Sequence, residues 1–127
     1  MRCSFAVLDE LAEHTNRDLY DAIRLSMSKR DEPILFTIST AGYNKTSGAI
    51  GWETYSYSKA IIDGTIKDDF EFLPIVYEKL DGDWTDIETY KSCNPSWAET
   101  TKQNFFKQLI IEAKNEPNKE NAAQVFI

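Results

Sequence analysis

A chain of 127 residues suits one domain and is long enough to bury a real core, and its 42% hydrophobic and 28% charged content is that of a globular protein. Fourteen basic against twenty-one acidic side chains leave a net charge of −7, which argues against a free-standing binder of nucleic acid or of an anionic membrane. Cys3 and Cys93 fit no metal-ligand spacing and no disulfide framework, which points to a reducing cytoplasm. No apolar run approaches the length of a membrane span, and the N-terminal one meets Asp9 before it can serve as a signal peptide.

The stretch from Cys3 to Leu8 is short, apolar and bounded by charge, which suits a strand buried on both faces. After a polar turn, Asn16 is placed to cap a helix through "RDLYDAIRLSMSKR", with Leu19, Ile23 and Met27 on one stripe. Pro33 then opens "ILFTIST", a second buried strand rich in β-branched residues. "AGYNKTSG" reads as a loop. A further helix follows, carrying Trp52, Tyr55, Lys59, Ala60 and Ile62 roughly on one face until Gly64 closes it. "FLPIVYEK" is the third expected strand. Thr85 with Glu88, and Ser96 with Glu99, make two capping boxes; the second opens a helix with Phe105, Leu109 and Glu112 on one face, stopped by Pro117. Strand and helix in this alternation imply parallel pairing with right-handed crossovers, hence an α/β class. Function in such sheets gathers at the carboxyl ends of the strands, where Asp9, Glu10, Ser39 and Thr40 fall.

A buried strand that runs into Asp-Glu has the form of a Walker B motif. The aspartate supports Mg²⁺ through its water shell and the next carboxylate polarises an attacking water. Phosphoanhydride hydrolysis needs strict positioning more than covalent chemistry, so such groups belong on a rigid strand tip. The bland reading of the same residues is a strand end entering an acidic, solvated turn.

"LDELAEHTNRDLYDAI", "PILFTISTAGYNKTS" and "YEKLDGDWTDIETYKSCNPSW", in that order and spacing, together resemble the large terminase subunit of tailed bacteriophages over residues 5–121. The resemblance implies a fragment of the ATP-driven motor that packages DNA in the cytoplasm of an infected or lysogenic bacterium. It further implies the back half of a P-loop-NTPase-like ATPase domain over residues 1–80, with three strands and crossover helices, then a helical linker over 81–127. By that likeness Glu10 is the catalytic residue and Asp9 the Walker B aspartate that binds Mg-ATP. Ser39, Thr40 and Ala41 fall on the coupling motif between nucleotide state and DNA movement. In the parent motor the cofactors are Mg²⁺ and ATP, and the partners are double-stranded DNA, the portal and the small terminase subunit. No membrane partner is implied.

The sequence departs from that family in two respects. No G-x-x-x-x-G-K-[S/T] occurs in it, and "AGYNKTSG" carries Gly42, Lys45, Thr46 and Gly48 in another order. The carboxylate cluster of a nuclease domain is not recognisable either. The chain by itself is therefore expected to hold no nucleotide and to be inactive. By resemblance, a P-loop strand lies between "ILFTIST" and "FLPIVYE", so its loss leaves bare edges through which the chain is expected to self-associate. The rival readings are a non-enzymatic prophage remnant or protein-interaction module, and a small metal-dependent hydrolase built on Asp9, Glu10 and His14. Trp84 and Trp97 are read as packing residues of the linker helices, and the acidic residues between Asp63 and Glu88 as a solvated face.

Overall fold

The computed structural model describes residues 3–40, 48–79, 81–99, 103–116 and 118. Two compact units divide the chain, Met1–Pro74 and Ile75–Ile127. Cys3 and Cys93 are both free thiols. Among the described residues no helix is long and apolar enough to cross a membrane.

The first unit is a β-α-β crossover followed by a second helix. Strand β1 (Phe5–Leu8) pairs in parallel with β2 (Ile34–Thr37), so that Phe5 lies beside Ile34 and Leu8 beside Thr37. Between them runs helix α1 (Asp18–Met27). The N-cap is Arg17, not the expected Asn16, and it makes no side-chain cap; Asn16 lies one residue earlier, where its Oδ1 accepts from the Asp18 amide at 3.1 Å. The face that α1 buries carries Tyr20 and Met27 with Ile23 half-buried; Leu19, expected on that stripe, is 52% exposed because the helix is rotated toward Tyr20. Helix α2 (Ile50–Ile62) ends at Gly64, which takes φ 80° and donates its amide to the Ile61 carbonyl, the ending expected of a C-terminal glycine.

Leu8, Leu11, Tyr20 and Ile50 form the core of this unit, with Ile23 and Leu35 against them. Both helices therefore cover the sheet face that carries Leu8 and Leu35. The opposite face is bare: Phe5 is 62% exposed, and Val7, Ile34 and Phe36 are about as open. The expectation of strands buried on both faces is thus corrected. An all-apolar strand reports that both faces want covering, and α1 and α2 supply only one layer.

The third expected strand is not found among the described residues. Residues 72–79 carry no regular secondary structure and make no ladder, since a strand needs a partner and Pro74 has no amide to donate. The observed sheet is two-stranded. Residue Phe72 instead packs edge-on against Tyr57 at 5.2 Å.

The acidic stretches do more than solvate a surface. Asp69 accepts from the Tyr57 hydroxyl at 2.7 Å and from the Glu71 and Phe72 amides. The Tyr57 hydroxyl first, and then those amides, hold the Asp69 carboxyl below its ordinary value. Asp63 caps the turn after α2 through Thr65, whose hydrogen bonds likewise lower it.

In the second unit Asp83 receives the Thr85 amide and hydroxyl, which also lower its pKa, and Asp86 receives the Glu88 amide. Asp86, not Thr85, therefore caps the 3₁₀ turn Ile87–Tyr90. Helix α3 (Gln103–Asn115) begins later than the expected Ser96 box, where residues 96–99 form turns. Its buried residues are Ile110 and Ala113, while Phe105 is 60% exposed. A second core gathers Tyr90, Trp97 and Ile110, with Trp84, Ile87 and Cys93 against them, so both tryptophans pack as expected. The fully buried Tyr90 donates its hydroxyl to the Trp84 carbonyl at 2.5 Å. Burial pushes the Cys93 thiol up, which makes it a poor nucleophile.

Gly51 sits where α2 meets the 3₁₀ turn Leu11–Glu13. A Cβ placed on it would lie 2.7 Å from the Ala12 Cα, a backbone atom that cannot swing aside. Gly51→Ala is expected to cost about 1–3 kcal/mol, read as a lower urea midpoint with an unchanged slope. The aspartate turns have a pH signature. Their carboxyl pKa values are depressed in the fold, so their stabilisation is present above the unfolded value and is lost as pH falls through the folded one. Acid titration from about pH 5 to about pH 2 is expected to weaken these turns, with Asp69→Asn flattening the dependence.

Candidate functional site

Parallel register sets the carboxyl ends of β1 and β2 side by side, and the backbone pairing continues past the strands. The Ile38 amide donates to the Leu8 carbonyl at 2.8 Å, and the Leu11 amide donates to the Ile38 carbonyl at 3.2 Å. Between Leu8 and Leu11 the chain must turn sharply so that Leu11, 2% exposed, can enter the core. Glu10 absorbs that turn with φ 52° and ψ 47°, a left-handed conformation, and it is the one non-glycine residue at positive φ among those described. A glutamate has no intrinsic reason to adopt it; a strained residue of this kind often marks a working position.

Hydrogen bonds hold this turn to the end of β2. The Asp9 Oδ1 accepts from the Glu10 amide at 2.9 Å. The Ser39 Oγ accepts from the Ala12 amide at 2.9 Å and donates to the Thr40 carbonyl at 3.2 Å. The Thr40 hydroxyl donates to the Glu10 Oε2 at 3.3 Å. Of the residues singled out by sequence, the structure thus brings together Asp9, Glu10, Ser39 and Thr40. Ala41, like Gly42, Lys45 and Thr46, lies outside the described residues.

His14 is placed differently from the helical arrangement that would align it with Glu10. The intervening residues form a 3₁₀ turn, His14 is extended, and its Nε2 lies 3.3 Å from the Asp9 carbonyl oxygen. The imidazole therefore faces backbone; a proton on Nε2 lets it donate there. Among the described residues no group of three His, Cys, Asp or Glu side chains is placed to hold a metal ion. What remains is a pair of adjacent, exposed carboxylates on a strand end, suited to a cation that keeps its water shell and takes further ligands from a substrate.

Two supports of this site were not legible beforehand. Gly51 lets α2 press on the turn that carries Ala12. Arg17 ties the helices together, pairing with Glu53 at 2.5 Å and with Asp21 at 3.4 Å, and both carboxylates raise the guanidinium pKa, Glu53 the more. Glu53 also receives the Gly48 amide at 3.0 Å. A glycine inside a helical pattern was the one available signal.

Fold and site together define an α/β unit whose polar residues converge at the carboxyl ends of parallel strands. Residues 1–60 match the terminase large subunit, ATPase domain, which bears out the resemblance to a fragment of a terminase large subunit. It is 32% identical over 114 residues to Protein YmfN of Escherichia coli (strain K12), which covers 87% of this chain and 24% of that protein. The crystal structure of the HK97 bacteriophage large terminase matches 98% of the chain with a TM-score of 0.77 and 22% identity, over 25% of its own length. The chain spans about a quarter of the length of these relatives.

The backbone of Glu10 offers a direct check on strain. Glu10→Gly removes a left-handed penalty of about 1–2 kcal/mol against a smaller entropic loss, so it is expected to raise stability by up to about 1 kcal/mol. A β-branched Glu10→Val is expected to lower it. Urea unfolding of the two variants reads both signs.

Proposed function

We propose that this chain supplies the Walker B and coupling elements of an ATP-driven DNA-packaging motor, with Glu10 as the catalytic carboxylate and Asp9 as the residue that supports Mg²⁺. The observation that carries this reading is the left-handed Glu10, bound through its carboxylate to Thr40 at the end of the neighbouring strand. That geometry is what a coupled pair needs: a movement of the β2 terminus is felt at the Glu10 carboxylate, and the reverse. Asp9 and Glu10 are exposed and adjacent, which fits a hydrated Mg²⁺ carried in with a nucleotide. When bound, the ion neutralises charge on the phosphates. Glu10 orients and polarises the attacking water, and Ser39 and Thr40, with Ala41 beside them, pass the change of state onward.

In the complete motor the partners are double-stranded DNA, the portal and the small terminase subunit. The sequence contains no phosphate-cradling loop of the G-x-x-x-x-G-K-[S/T] type, so the chain alone is proposed to be inactive. Positioning and charge stabilisation carry nearly all of phosphoryl transfer, and without a cradle the carboxylates have nothing positioned to act upon.

The test places the segment in a full-length terminase, replacing the matching segment. There Glu10→Gln is expected to lower ATP turnover by about 10²–10⁴-fold while nucleotide binding persists. Asp9→Asn is expected to weaken Mg-nucleotide binding, and Thr40→Val to reduce DNA moved per ATP consumed. Full turnover in both carboxylate variants would overturn the assignment. Mg²⁺-dependent turnover by the 127-residue chain that disappears in Glu10→Gln would leave the assignment standing and overturn the proposed inactivity of the chain alone.

A further inference from the structure

The sheet face opposite α1 and α2 is built from alternate residues of both strands. Phe5 and Val7 of β1 lie in register with Ile34 and Phe36 of β2, and Ile38 continues the β2 row. Their exposures are 62% and 49%, then 57%, 54% and 47%. No charged or polar side chain interrupts the row. On the covered face the matching positions include Leu8 and Leu35, which do pack against Tyr20, Ile23 and Ile50. The covered face carries Ala6, Leu8, Leu35 and Thr37, so the more apolar of the two faces is the one that the described residues leave about half exposed.

We propose that this face is a self-association surface on which two copies of the chain pack Phe5, Val7, Ile34, Phe36 and Ile38 against the same residues of the partner. A second copy is the occupant whose chemistry matches at every position, because an isologous pair sets apolar rows against apolar rows and buries no polar side chain. The area suffices. At roughly half exposure the five side chains present about 500 Å² per copy, and a symmetric pair removes about 1,000 Å² from water, the lower bound for a specific interface.

The strand edges are the weaker alternative. Each strand is four residues long, so an edge offers few backbone groups to a partner. The net charge of −7 makes each copy repel the other, and added salt should therefore tighten the pair.

Sedimentation equilibrium of the full chain, from about 1 μM to on the order of 100 μM, reads the stoichiometry. The expected result is a closed monomer–dimer equilibrium that strengthens with salt. Phe36→Thr, which keeps β propensity but removes the ring, is expected to raise the dissociation constant at least about tenfold. Leu25→Ser, on the exposed side of α1, is expected to leave it unchanged. Should Phe36→Thr fail to fold, methyl resonances of the native chain decide. On dilution those of Val7, Ile34 and Ile38 are expected to shift while those of Ile23 and Ile50 hold still. A monomer throughout, open-ended aggregates, a dimer insensitive to Phe36→Thr, or unmoved face methyls would each overturn the proposal.

Discussion

Two backbone hydrogen bonds organise the first unit: Ile38 N–H to the Leu8 carbonyl, and Leu11 N–H to the Ile38 carbonyl. They carry the parallel pairing beyond the last paired residues and return the chain across the end of β2. A backbone committed at both Leu8 and Leu11 leaves two residues in which to reverse direction. Asp9 answers with its carboxylate on the next amide, and Glu10 answers with a left-handed backbone. Burying Leu11 between Leu8 and Ile50 offsets the strain, because a fully buried leucine contributes about 1.5–3 kcal/mol and the conformation costs about 1–2 kcal/mol.

That constraint also explains why the polar residues of β2 arrive where they do. Ser39 and Thr40 are the next residues after the bonded Ile38, so their hydroxyls fall against the turn, one on Ala12 and one on Glu10. The 3₁₀ turn so held is pressed from behind by α2 at Gly51, and α2 is tied to α1 through Arg17 and Glu53. Exposed ion pairs of this kind contribute little to stability individually. Their effect here is geometric, since they fix the start of α2 relative to the helix that covers the sheet.

Each unit has a small core of its own, and the two differ in how polar groups are treated. In the first, the buried Ser58 donates its hydroxyl to the Thr54 carbonyl within α2, and the site's polar groups lie at the rim, on strand ends. In the second, the Tyr90 hydroxyl and the Asn94 amide bond carbonyls within the fold, while the buried Trp97 Nε1 has no hydrogen-bond partner among the described residues. Aspartates at turn starts recur in both units, each accepting amides one to three residues ahead. The acidic composition is thus partly a turn-building device, and the net charge is a by-product of it.

Local chemistry was legible from the residues themselves. The parallel α/β class follows from the alternation of apolar runs and amphipathic stretches, Gly64 announces the end of α2, and the Asp-Glu pair announces a strand tip. The residues of the likeness to a terminase pointed to the family whose ATPase domain residues 1–60 match. Other features were decided only in three dimensions. Thr85 and Asp86 are both sound caps by type, and the choice between them depends on which amide each can reach. Leu19 and Tyr20 both fit an apolar stripe, and the rotation of α1 follows from what Leu8 and Leu11 leave room for. The apolar character of residues 72–79 and of Phe5, Val7, Ile34 and Phe36 states what these segments would bury against. Whether a partner strand or a covering layer is present is a property of the surrounding chain, which periodicity does not encode. The left-handed Glu10 is the clearest case: no propensity predicts it, because it is forced by two long-range hydrogen bonds that exist only once β1 and β2 have paired.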